Sequence, residues 1–473
     1  MKKGKALLLL ILAAAQFMVI LDGSIVNVAL SSIMEGLNFA PENLQWVVTS
    51  YVLAFGGFLL LGGRAADLFG RKRIFLIGLV GFTLGSLLAG FAQNEAMMIV
   101  ARVIQGLTAA FMSPAALSII LTEYKEGPER NKALGVWGAV GAGGAAAGLI
   151  AGGFLTEYLG WRWDFIVNLP IGIVLIVLAL KHVPAHHSDA DHKHLDLRGA
   201  VFVTTGLMAL VYGLTNAPTW GWASTQALLW LGSSLVLLAA FVFNELKVKH
   251  PLVDLSIFRI RNLTGANVAQ LFITAGLMSM FFFISLYLQE ILKFKPIETG
   301  LAFLPFAVTV GITATQASKF IGRFGYKPFL VAGPLAMSVA LFILSHISVG
   351  GSYFAVVLPG LVLMALGAGF TFIAVSVAAT SGVPKHQSGL ASGLLNTSQQ
   401  IGGALGLAIL SGVASTAATN AMPTNMGVAT VSGYHSALLV ASCFALSASI
   451  VSTIIIRAKK HHTGLGAPVT LGH

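Results

Sequence analysis

Apolar residues in this chain come in long unbroken runs, without the short alternation of a water-soluble helix or strand. Each run approaches the ~20 residues that carry a helix across a bilayer. Runs fall near residues 6–33, 44–62, 74–93, 97–122, 132–158, 163–182, 197–215, 226–244, 262–289, 299–320, 328–348, 353–379, 387–415 and 434–456, with polar residues collected between them. The pattern predicts an all-α polytopic membrane protein with 14 transmembrane helices. The first run, from Ala6 to about Leu30, is longer than a signal-peptide core and reads as a retained helix.

Charge changes the picture next. A net charge of +11 points to nucleic acid in a soluble domain, but here the basic residues sit in short loops between apolar runs, which excludes that class and fits the positive-inside rule. Numbering the loops alternately puts roughly 24 of the 28 Lys and Arg on one side, Lys2, Lys3, Arg71, Lys72, Arg73, Lys132, Arg198, Arg259, Arg323, Lys385 and Lys459 among them. Arg162, Lys293 and Lys295 fall on the other, and Arg102 lies inside a helix. Both termini are therefore expected in the cytoplasm and the chain in the cell membrane. The lone Cys443 excludes a disulfide framework within the chain and a thiol-rich metal site. The His-rich stretch from Lys181 to Asp196 lacks fixed ligand spacing and reads as a solvated linker, so no metal or other cofactor is expected.

An internal repeat divides the chain. DLFGRK at 67–72 and GRFGYK at 322–327 share Phe, Gly and Lys in register, and both fall in loops on the basic side. Two six-helix halves related by an axis along the membrane normal leave such a trace. The expected division is an N-terminal bundle over 1–183, a linker with two inserted helices over 184–261, and a C-terminal bundle with a short tail over 262–473.

Five stretches of the first half carry a family resemblance. Gly63, Asp67, Gly70, Arg71 and Lys72 resemble the cytoplasmic loop signature of the major facilitator superfamily. LDGSIVNVAL at 21–30 resembles the first-helix signature of its fourteen-helix drug:proton antiporters. ARVIQGLTAA at 101–110 is similar to the fourth-helix motif, with Arg102, Gln105 and Gly106 in place. Gly135, Gly144, Gly148, Gly152 and Gly153 reproduce the fifth-helix antiporter spacing, and WRWDFIVNLPIG at 161–172 resembles the opening of helix 6 in that branch. Leu149 stands where the antiporter motif usually has Pro, Leu68 where the loop motif often has Arg, and Asp164 where an apolar residue is common. The resemblance implies proton-coupled efflux of amphipathic compounds by a monomer in the bilayer. Transport of another solute, such as a lipid precursor, metabolite or peptide, is the alternative, since fold does not fix substrate. No nucleophile with its base and no phosphate-cradling loop appears within the spans, so an enzyme is not expected.

Candidate residues follow from what a bilayer makes expensive. Asp22 lies roughly 25 Å along a helix from Lys5, inside the membrane, where an acid is a functional candidate. Arg102 is the basic residue inside a span and is read with Gln105 and Asp22 as a polar relay, with Asp164 as a second acid. Asp67 gains from a helix N-terminus, and the resemblance implies that this is the helix start near 387–393, with Arg71 reaching Glu123 to latch the halves on the cytoplasmic side. Asn27, Trp46, Tyr51, Phe282, Tyr287, Gln289, Asn396 and Gln400 are candidates to line a drug cavity.

Overall fold

The computed structural model describes residues 3–125, 128–184, 196–249, 251–384, 387–421 and 426–457. The chain winds through α1 (Lys3–Leu37), α2 (Trp46–Phe69), α3 (Arg71–Gly90), α4 (Glu95–Glu123) and α5 (Pro128–Tyr158). It continues through α6 (Trp163–His182), α7 (Leu197–Trp220), α8 (Thr225–Lys247), α9 (Arg261–Ile291) and α10 (Pro296–Phe324), then α11 (Lys327–Ser345), α12 (Tyr353–Thr380), α13 (Ser388–Ala421) and α14 (Met426–Ile455). Thirteen of these are long and apolar enough, among the described residues, to cross a membrane. The glycine-rich α5 is not among the thirteen. Its 31 residues nonetheless run beside α1, from the Lys5–Glu129 ion pair (3.0 Å) at one end to the contact of Gly152 with Ile25 further along. Most of the His-rich stretch, with its histidines at 186, 187, 192 and 194, lies outside the described residues, as do Lys2, Lys385 and Lys459.

Helix ends depart from the apolar runs in an informative way. Hydropathy ends the second helix near residue 62, yet α2 continues to Phe69 and takes Gly63 and Asp67 into its last turns. Hydropathy marks where the chain leaves the apolar slab; backbone hydrogen bonding continues until Gly70, whose φ of +93° is a conformation that only glycine adopts without strain. The same break recurs at Gly325, φ +78°, between α10 and α11.

That repeat extends to packing. Lys72 Nζ donates to the Leu180 carbonyl at the end of α6 (2.9 Å), and Lys327 Nζ to the Thr453 carbonyl at the end of α14 (3.1 Å). In each half a lysine that opens the third helix thus meets the negative end of the sixth. Small residues let partner helices close up in both: Gly148 and Gly152 of α5 against α1, and Gly402 and Gly406 of α13 against α9. These are the two six-helix bundles expected from the sequence.

The inserted pair α7 and α8 packs outside them. Helix α7 lies across the seam of the halves: Thr204 meets Gly57 of α2, and Pro218 meets Gly412 of α13. Helix α8 rests chiefly on α7 and exposes Leu228, Leu229, Leu235, Val236 and Phe243, as a lipid-facing helix does.

Candidate functional site

The deepest polar cluster is built where α1, α2, α3, α4 and α6 meet. Gly106 brings α4 so close to the Tyr51 carbonyl of α2 that any side chain there would collide, and one turn earlier Arg102 Nε donates to the Val47 carbonyl at 2.9 Å. Gly148 packs against the Leu21 carbonyl and Ser24, fixing the turn of α1 that carries Asp22. The guanidinium Nη1 then donates to Asp22 Oδ2 at 2.5 Å and to Gln105 Oε1 at 2.9 Å. Gln105 Nε2 donates to Asp22 Oδ1 and to Ser86 Oγ, both at 2.8 Å, and Asn168 Nδ2 adds a third donor to the carboxylate at 3.1 Å. The rings of Tyr51 and Phe165 lie 4.3 and 5.7 Å from the guanidinium carbon. Arg102 is 1 % exposed and Asp22 0 %, so both charges rely on each other and on these donors.

The sequence reading named Asp22, Arg102 and Gln105, and the structure brings them together. It missed Ser86 and Asn168, polar residues inside apolar runs that carry no charge to flag them. Asp164 sits nearby on the first turn of α6, fully buried, accepting from Thr156 Oγ1 at 2.5 Å.

On the basic face the arrangement is more local than expected. Arg71 Nη2 is 3.5 Å from Asp67 Oδ1, one helical turn away, and its Nη1 donates to the Thr122 hydroxyl, next to Glu123. Asp67 keeps 51 % of its side chain exposed. The helix start expected to meet it, 387–393, opens α13 and approaches α2 where Gly393 faces the Leu60 side chain. Lys72 ties α3 to α6 within one half. Gly63 faces Pro114 of α4 at ordinary contact distance.

Glycines of the antiporter pattern divide three ways. Gly144, Gly148 and Gly152 form the α5 face against α1; Gly153 meets the backbone at Pro296 and Ile297 at the start of α10; Gly135 is exposed and meets nothing within 4 Å. Leu149 lends its carbonyl to a backbone contact with Gly300 of α10.

Several cavity candidates have other partners. Trp46 packs at a tilt against Tyr212 of α7 with ring centroids 5.9 Å apart. Phe282 packs edge-on against Phe283 at 5.3 Å, and Tyr287 donates to the Ser348 carbonyl at 2.8 Å, within the second half. Asn27 and Gln289 join the halves at the end opposite the basic face: Ser285 Oγ donates to the Asn27 carbonyl (2.5 Å) and Gln289 Nε2 to the Val28 carbonyl (2.8 Å). Gln400 packs against Gly56 of α2, and Asn396 is exposed on α13. A groove of about 540 Å³ opens between α7 and α13, lined by Pro218, Trp222, Gly412, Thr416 and Asn420.

Two six-helix halves, with the buried ion pair inside the first, make up a multi-pass membrane protein, and its family makes it a transporter and not an enzyme. The chain belongs to the Major Facilitator Superfamily, whose sequence profile matches residues 12–407. It is 38 % identical to the puromycin resistance protein pur8 of Streptomyces alboniger over 453 residues, 94 % of this chain and 90 % of that one. It is 35 % identical to the cephamycin export protein CmcT of Amycolatopsis lactamdurans over 458 residues, 96 % of this chain and 93 % of the relative. Among solved structures, the fold matches the POT family transporter PepTSo with TM-score 0.70 at 17 % identity, covering 96 % of this chain and 98 % of that one.

Proposed function

We propose that this chain exports amphipathic antibiotics or similar toxic compounds from the cell, exchanging them for protons by alternating access. Relatives named for resistance and export supply the substrate class. The single observation that carries the coupling is the buried Asp22–Arg102 pair. From Arg261 to the C-terminus the only acids are Glu290 and Glu298, so a proton-binding carboxyl deep in the membrane has to come from the first half. In this scheme Asp22 exchanges its partner, Arg102, for a proton as the halves rock, about one proton per cycle. No cofactor is required.

With the termini in the cytoplasm, the contacts of Asn27, Val28, Glu157 and Gly153 with the second half lie on the outer side, which supports a stage closed to the outside. The moving units are 1–183 and 262–473, with 184–261 as the inserted segment. Asp67, Gly70, Arg71 and Glu123 belong to the inner gate that forms when the protein turns outward, and the working unit is a monomer in the cell membrane. A single compensating carboxylate favours monovalent or neutral lipophilic substrates over dications.

Reconstituted vesicles test this. Wild-type protein is expected to drive uphill drug movement under an imposed pH gradient and to lose it with an uncoupler, while Asp22→Asn binds substrate without uphill transport. Robust gradient-driven transport by Asp22→Asn, or efficient export of rigid dications, refutes the scheme.

A further inference from the structure

Asp164 is a carboxyl in a corner that offers it no cation. It is 0 % exposed; Oδ2 accepts from Thr156, and Oδ1 has no partner among the described residues. Arg102, Arg162 and Glu157, on or next to the elements around it, are engaged elsewhere. On α4, Arg102 is held by Asp22, Gln105 and the Val47 carbonyl. Preceding α6, Arg162 donates to the Ala92 carbonyl at 2.9 Å and stacks on Trp161. On α5, Glu157 is 3.7 Å from Lys295 of the second half. Beyond Arg73, α3 carries no ionisable side chain. Helix α1 contributes Asp22, a second carboxylate, and the Tyr51 ring of α2 faces Arg102. An ionised Asp164 would therefore be a buried anion with one neutral donor, an orphaned oxygen and a like charge for company, each of which disfavours it by itself.

One turn along α6 a complementary defect appears. Asn168 donates its amide N–H to Asp22, yet its Oδ1 is also without a partner among the described residues. Residues four apart share a helix face. A proton on Asp164 removes the buried charge and supplies an O–H donor one helical turn from an acceptor that lacks one.

We propose that Asp164 is the residence site of the exchanged proton in this conformation, with Asn168 joining it to Asp22, so that the coupling site is two carboxyls holding one proton. The proposal rests on the antiport reading above and shifts the proton within it: Asp22 remains ionised while Arg102 holds it. Release sends the proton from Asp164 to water, and the carboxylate left behind competes with Asp22 for Arg102. That competition links the proton to the rearrangement.

Infrared spectroscopy of the purified full chain in lipid nanodiscs reads this directly through the C=O stretch of a protonated carboxyl. The band is expected in wild type and in Asp22→Asn, and its Asp164 component is expected to be missing from Asp164→Asn, a variant isosteric with the neutral acid. Thr156→Val, which removes the bonded hydroxyl but keeps the shape, is expected to shift the same component without abolishing it. In vesicles Asp164→Asn is expected to keep drug binding and drug–drug exchange while losing uphill transport. An unchanged carboxyl band in both variants, or wild-type uphill transport by Asp164→Asn, overturns the assignment. Absence of gradient-driven transport in the wild-type chain overturns the antiport reading and the coupling role of Asp164 with it, whatever the spectrum shows.

Discussion

At the scale of single residues, geometry matters as much as charge in the buried cluster. Arg102 reaches three acceptors from one planar fork, the Val47 carbonyl, Asp22 and Gln105, a task that a lysine ammonium on a flexible stem does poorly. Arg102→Ala leaves Asp22 buried and unpaired and is expected to destabilise the fold by about 3–5 kcal/mol. Arg102→Lys keeps the charge but gives up part of the fork, an expected loss of about 1.5–3 kcal/mol. Thermal unfolding in detergent ranks the two, and equal losses would mean that charge alone matters. The ion pair was legible because charged residues in apolar runs announce themselves. Its supporting shell was not: Ser86 and Asn168, like Thr156 against Asp164, look like any small polar residue in a membrane helix, and only the crossing of α3, α5 and α6 aims them inward. Trp46 and Tyr287 are harder to place from sequence, since an aromatic ring fits a binding cavity, a helix interface or a lipid boundary equally well. Asp67 poses a different test. Exposed and, among the described residues, held by its neighbour Arg71, it is expected to matter in the opposite state. Asp67→Asn should keep drug binding and lose net transport; equal loss of both would assign it to folding or to the substrate site.

At the scale of helices, spacing in the sequence translated into contact for most of the motif glycines, but not for all. Gly148 has a backbone carbonyl 2.9 Å from where a Cβ would stand, whereas Gly135, in the same helix and the same motif, faces open space. Gly148→Val is expected to push α1 from α5 and cost about 1–3 kcal/mol with loss of transport. Gly135→Ala is expected to be neutral, or to stabilise by up to about 1 kcal/mol through helix propensity. Melting and transport of the two variants check the contrast, and similar losses would mean that the motif acts through something other than close packing. The paired lysines Lys72 and Lys327 were readable as a repeat in sequence, but their shared task of closing the third helix onto the sixth required both helices to be seen together.

At the scale of the whole molecule, the number of helices, their order and the division into halves were legible because a bilayer imposes a length on every crossing. The state of the machine was not, since one sequence serves every stage of its cycle. What distinguishes this stage is the seam far from the basic face, where Gly153 and Gly300 bring α5 and α10 into backbone contact with no side chain between them. A joint of that kind is insensitive to the chemistry of its residues and acutely sensitive to their bulk. In a saturation mutagenesis screen for drug survival, most membrane positions sort amino acids by polarity. Gly153 and Gly300 are expected to sort them by volume, tolerating Ala or Ser at best and rejecting Leu as firmly as Lys. Such a screen would trace the closing edge of the transporter as a line of positions ruled by size, drawn by selection and independent of any captured conformation.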